Sequence, residues 1–157
     1  MDPRWKPIER VFPVTQPAVA TGFSVVPDTA SGWLIRTLRF QLVTDANAAN
    51  RAIMFAVTDG NTEWWRSSAG DVQAASLTRV YGAHIDSPGA LTVGTFIGVR
   101  WPNDGLWIPK GSRLNVTIEN VQVGDQISVI AGSRFEFPVG PYYSMWPFVT
   151  ALTEDAD

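Results

Sequence analysis

Between Gly32 and Ile130 the chain alternates apolar and polar residues in short runs, each closed by turn-forming residues. In WLIRTLRFQLV, residues 33–43, Leu34, Leu38, Phe40 and Leu42 share one face and Thr37, Arg39 and Gln41 the other, with Arg36 interrupting the apolar side. In RLNVTIE, residues 113–119, Leu114, Val116 and Ile118 alternate with Arg113, Asn115, Thr117 and Glu119. A period of two sends successive side chains to opposite faces, so both runs predict strands with one face on a core and one on water. RAIMFAV, residues 51–57, is apolar on both faces and predicts a covered central strand.

The remaining runs extend the pattern. Glu63-Trp64-Trp65-Arg66 begins a short strand after the turn Thr58-Asp59-Gly60-Asn61. Leu91, Val93, Thr95, Ile97 and Val99 oppose Thr92, Gly94, Phe96, Gly98 and Arg100, which predicts one strand with a bend or a close neighbouring backbone at its glycines. Pro109-Lys110-Gly111 leads into the 113–119 run, Gly124-Asp125 leads out, and Ile127 and Val129 belong to the strand that follows. Residues 71–90 fit a short helix or an irregular strand, with Val80 and Tyr81 favouring strand. About eight short strands at near-regular spacing, with Gly/Pro turns, predict an all-β fold, a single jelly-roll-like β-sandwich.

Both ends differ from the middle. Residues 1–30 carry Pro3, Pro7, Pro13, Pro17 and Pro27 among Trp5, Phe12 and Phe23, and residues 132–157 carry prolines and aromatics before an acidic tail. Proline removes backbone donors and fixes an extended shape. The predicted organisation is an N-terminal arm over 1–30, within which Thr21–Val26 suits an edge strand, a sandwich domain over 31–131, and a C-terminal arm over 132–157.

Composition narrows the function. A net charge of −3 with scattered Lys and Arg argues against nucleic acid and anionic membranes as partners. MDPRWKPIERVF lacks the basic-then-apolar pattern of a secretory signal, so the expectation is a protein made in the cytoplasm. The absence of cysteine removes disulfides, thiolate metal sites and a thiol nucleophile. Only 17% of residues are charged, while seven are tryptophan and eight phenylalanine. That balance suits a protein packed against other protein, or a rigid β-domain with a large aromatic core.

Candidate chemistry is thin. His84 could be combined with Ser76 and Asp86, yet no nucleophile elbow surrounds Ser76. Asp59-Gly60-Asn61 and Asp45-Ala46-Asn47 offer loop oxygens without the spacing of a calcium loop, and turn formation accounts for both. Asn115-Val116-Thr117 matches a glycosylation acceptor inside a predicted strand. The expectation is no enzyme, no metal and no cofactor. Trp64 and Trp65, adjacent in a strand, leave three readings open: partner packing, intramolecular core, or a sugar-stacking platform. With Trp5, Phe12, Tyr142, Tyr143, Trp146 and Phe148 of the arms, they form the predicted partner interface.

GWLIRTLRFQLVTDANAANRAIMFAVTDG, residues 32–60, and WIPKGSRLNVTIENVQVGDQISVI, residues 107–130, together resemble a group of small tailed-bacteriophage virion proteins. The likeness covers roughly residues 31–131 and leaves both arms and the 62–105 stretch outside it. It implies a non-enzymatic jelly-roll decoration or cement protein on a capsid surface. Its implied partners are the major capsid protein and further copies of itself, with a trimer one candidate assembly. The alternative is a carbohydrate- or receptor-binding module of a head fibre or tail.

Overall fold

The computed structural model describes residues 8–28, 32–84, 92–102 and 104–136. Among these residues every regular element is a strand: β1 (Ile8–Pro13), β2 (Phe23–Val25), β3 (Trp33–Val43), β4 (Arg51–Asp59), β5 (Thr62–Gln73), β6 (Thr78–His84), β7 (Thr92–Val93), β8 (Phe96–Arg100), β9 (Leu106–Ile108), β10 (Ser112–Glu119) and β11 (Gln126–Glu136). The larger sheet runs β1-β11-β3-β6-β8-β7, with β9 also on β3, and the smaller runs β2-β10-β4-β5. Phe23 from the smaller sheet meets Phe40 from the larger edge-on at 5.4 Å, and Phe40 stacks on Tyr81 at 5.2 Å. The chain is an all-β sandwich over one aromatic-rich core.

Four antiparallel pairs are nested one inside the next: β4 with β5, β3 with β6, β2 with β10 and β1 with β11. The segment read as an N-terminal arm therefore supplies an edge strand to each sheet, and β11 carries the last strand to Glu136. Both strands cap a sheet rather than hang from it.

Three runs differ from their sequence reading, each for a local reason. In β3 the buried positions are Trp33 and Ile35, then Leu38, Phe40 and Leu42, while Leu34 is half-buried on the other face. The phase slips at Arg36, where the register against β11 jumps between Ser133 and Arg134. An extra residue in one strand leaves the pairing on either side intact but turns the pattern over. In β11 a second slip between Ser128 and Ala131 puts Ile127 and Ile130 inside, and Val129, at φ 51°, is 71% exposed. Within the 91–99 run, Gly94 at φ 57° turns β7 into β8, so Val93 is exposed while Ile97 and Val99 are fully buried. β5 is twelve residues long rather than short. Residues 78–84, left between helix and strand, are β6. β4 is central, but its outward Ala52, Met54 and Ala56 are only half-buried, so one of its faces lacks the expected cover.

Every connection at one end of the sandwich that crosses between sheets is tied to one charged cluster. Fully buried Arg51, at the start of β4, donates to both carboxylate oxygens of buried Asp125 at 2.9 Å, to Asp45, and to the carbonyls of Asn47 and Ala49 at 2.8 Å. Asp125, between β10 and β11, also accepts from the backbone N–H groups of Asp45 and Gln122. Its carbonyl accepts from Ala20 in the β1–β2 connection, and the Asp45 carbonyl accepts from Ser76 in the β5–β6 turn. Burial pushes the Asp125 carboxyl up, but hydrogen bonds from Arg51 and those N–H groups outweigh it and hold the group below its usual value of 3.8. Burial also raises Asp45, and hydrogen bonds from Asn47 and Gly124 bring it below that value.

A carboxyl lowered on folding stabilises the native state fully above its unfolded pKa and loses that contribution as pH falls through the folded value. Unfolding free energy, measured in urea, is expected to decline as pH drops below about 4, with a shallower decline in Asp125→Asn. Asp125→Ala strands a buried guanidinium and is expected to cost about 3–5 kcal/mol at neutral pH, read from the same titration.

Candidate partner interface

The two tryptophans of β5 have different environments because the register against β4 slips there. Thr58 pairs with Glu63 and Val57 with Trp65, which makes Trp64 the extra residue. Trp65 is half-buried against the core, with its ring edge-on to Trp101 at 5.9 Å. Trp64 is 45% exposed on the open edge of the smaller sheet. Beside it, Arg66 and Glu63 make a bidentate pair at 2.7 Å. The pair is solvent-exposed and adds little to stability.

Phe12, predicted for a partner surface, is buried at the opposite edge. Its ring lies 5.5 Å from that of Trp33 and covers Gly132, where a Cβ would come within 2.5 Å of it. The Arg134 guanidinium stacks over Trp33 at 3.6 Å from the ring centre and lies 5.5 Å from Phe12. Next to this stack, edge strands β1 and β2 of opposite sheets part to leave a cleft of about 510 Å³. Phe12, Val14, Pro17, Phe23, Val25 and Trp33 provide most of its apolar lining. Trp5, Tyr142, Tyr143, Trp146 and Phe148 lie outside the described residues.

The sequence reading missed Trp33 and Arg134 as candidates. Neither belongs to a spaced motif, and they meet only through the β3–β11 pairing. The one available signal was an arginine flanked by apolar residues within QISVIAGSRFE, the sequence of β11.

The larger sheet leaves apolar side chains exposed as well: Val11 on β1, Val129 on β11, Val93 on β7 and Phe96 on β8. Phe96 lies against Gly82 of the neighbouring strand, where a Cβ would fall 2.6 Å from its ring.

The other sequence candidates are placed as follows. Ser76 lies in the turn before β6 and His84 at its far end, a strand apart, while Asp86 is outside the described residues. Asp45 and Asn47 belong to the Arg51 cluster, and Gly60-Asn61 is the two-residue turn of the β4–β5 hairpin. Asn115 accepts from Ser24 and donates to Thr58, bridging three strands. Among the described residues no group of three or more His, Asp or Glu could hold a metal ion, and no helix could cross a membrane. Comparisons with protein-family models, curated proteins and solved structures find no match.

The paired tryptophans are separable by stability. Trp64→Ala is expected to change the unfolding free energy by less than about 0.5 kcal/mol. Trp65→Ala is expected to cost about 3 kcal/mol, the lower end for a large core aromatic because its ring is only half-buried. Chemical denaturation of the two variants beside the parent chain checks both values.

Proposed function

We propose that this protein is a non-enzymatic structural component of a tailed-phage particle, a decoration or cement protein of jelly-roll type. It braces the capsid surface through contacts with the major capsid protein and with copies of itself. The observation that supports the reading is the nested strand pairing of β1·β11, β2·β10, β3·β6 and β4·β5 in two facing sheets, with β7–β9 inserted before β10. The resemblance of residues 32–60 and 107–130 to virion proteins supplies the family context.

The mechanism of bracing is area. A stable contact buries about 1,200–2,000 Å² in total, and aromatic anchors at its centre contribute most of the energy. Trp64 on one free edge, and Val11 and Val129 on the larger sheet, are apolar groups that an adjacent subunit would cover. The terminal arms extend the same contact. Repeated around a shell, many moderate contacts resist internal pressure without one strong site.

A receptor- or glycan-binding module of a head fibre or tail is the second reading, favoured by exposed Trp64 alone. An indole face on a sheet edge is a stacking platform for a sugar ring.

Light scattering separates the two. A structural brace is expected to give a discrete oligomer that loses mass when residues 1–7 are removed, a deletion that leaves β1 whole. A monomer at all concentrations, whose tryptophan emission shifts with a glycan and ceases to shift in Trp64→Ala, would overturn the brace in favour of the module.

A further inference from the structure

Of the two buried indoles of Trp33 and Trp101, only one has an acceptor among the described residues. Trp101 Nε1 donates to the Ile35 carbonyl at 2.9 Å. Trp33 is 5% exposed, and its Nε1 has no hydrogen-bond partner among the described residues. A buried donor without an acceptor carries the full desolvation penalty, which native structures rarely tolerate. Trp33 is also a wall of the β1–β2 cleft, and that cleft is bounded by two strands that are sheet edges among the described residues. The site thus combines an aromatic trough with one unmet donor in its wall, and behind that wall Arg134, which lies 3.9 Å from Asp28, stacks on the same indole.

We propose that this cleft is the docking site for the proline- and aromatic-rich segment of the same chain that begins at Phe137, with a main-chain carbonyl of the segment accepting from Trp33 Nε1. The inference deepens the arm-mediated assembly proposed above and names the surface that receives the arm.

Three observations select this occupant. The first is position. Glu136, the last residue of β11, pairs with Ile8 on one side and with Trp33 on the other, so the segment that follows is joined to the sheet in the row that contains Trp33. Extended chain covers about 3.3 Å per residue, so a dozen residues reach the cleft of the same copy or of an adjoining one. The second is hydrogen-bonding chemistry. FPVGPYYSMWPF, residues 137–148, includes Pro138, Pro141 and Pro147, which lack an N–H and leave carbonyls to be met from outside. Proline-rich segments dock in aromatic grooves for this reason, held by donors at the groove wall.

The third is charge. Residues 137–153 carry no charged side chain, and Glu154, Asp155 and Asp157 follow. That sequence suits an apolar trough beside a guanidinium. The other proline-containing end is less suited, because Arg4 and Lys6 would place two further cations near Arg134.

The test uses the full chain with p-benzoylphenylalanine in place of Trp146, irradiated and digested for mass spectrometry. The proposal expects the main cross-links at cleft residues such as Phe12, Pro17 and Val26. It further expects Trp33→Phe, which keeps a ring and removes the donor, to lower their yield at least threefold. Thr15→Trp, placed on the exposed rim of the cleft, should block them without touching the core. Cross-links concentrated elsewhere, or a yield that neither substitution changes, would overturn the docking site.

Mixing isotopically light and heavy chains before irradiation then reports the geometry. Light–heavy cross-links in the cleft support both docking and arm-mediated assembly. Cross-links within one chain support docking and count against the assembly reading, so the two ideas fail separately.

Discussion

The sandwich depends on one buried guanidinium. Arg51 is among the largest fully buried side chains of the described residues, and it collects ligands from the β3–β4 connection and the β10–β11 turn. Through Asp125 and Asp45 the β1–β2 connection and the β5–β6 turn are tied to the same point. Each of these four segments carries the chain from one sheet to the other. Stacked sheets can slide on an apolar core, because burial is not directional. A cation with directional donors and two carboxylates cannot be shifted without stranding a charge. Buried ion pairs add less stability than their distances suggest, so the contribution of this cluster is to fix which loops meet. Next to it, fully buried Gln73 donates to the Leu42 and Leu77 carbonyls and accepts from Tyr81, whose phenol burial pushes up to about 12. That neighbouring network uses the same device with neutral groups.

Much of the fold was legible because alternation survives wherever pairing is regular. Leu114 and Val116 are buried, and Ile118 half-buried against the core, on the face that period two assigns them. It failed where a strand takes an extra residue. Leu34 was assigned to the face of Leu38, and a slip between the two residues reverses the phase. The trace was present in the sequence as Arg36 interrupting an apolar face. Gly94 was the same kind of signal, a turn disguised as part of a strand. Bulges are set by what the neighbouring strand permits, and that neighbour is distant in sequence.

The interface was less legible than the fold. Composition could say that the aromatics exceed what turns and surfaces need, but not which of them the core consumes. Phe12 and Trp65 went to the core and Trp64 stayed outside, a division made by a register slip in β5 and by the pairing of Phe12 with Gly132. Trp33 and Arg134 are 101 residues apart in the numbering and share no motif, yet they form the densest cation–aromatic contact among the described residues. Long-range pairing is what a single sequence exposes least.

The nested pairing also sets a timetable. The β4–β5 hairpin closes over two residues, whereas β1 can pair with β11 only after Ala131 and its neighbours exist. Loop-closure entropy grows with the logarithm of loop length, so each inner pair that forms shortens the effective loop for the next one out. The route of lowest cost therefore zips outward from the hairpin and seats β1 last. During synthesis β1 has no partner until β11 has emerged. A topology so rich in distant contacts folds slowly for its size, and it leaves β1 and β2, the two edges beside the cleft, as the last backbone to be covered.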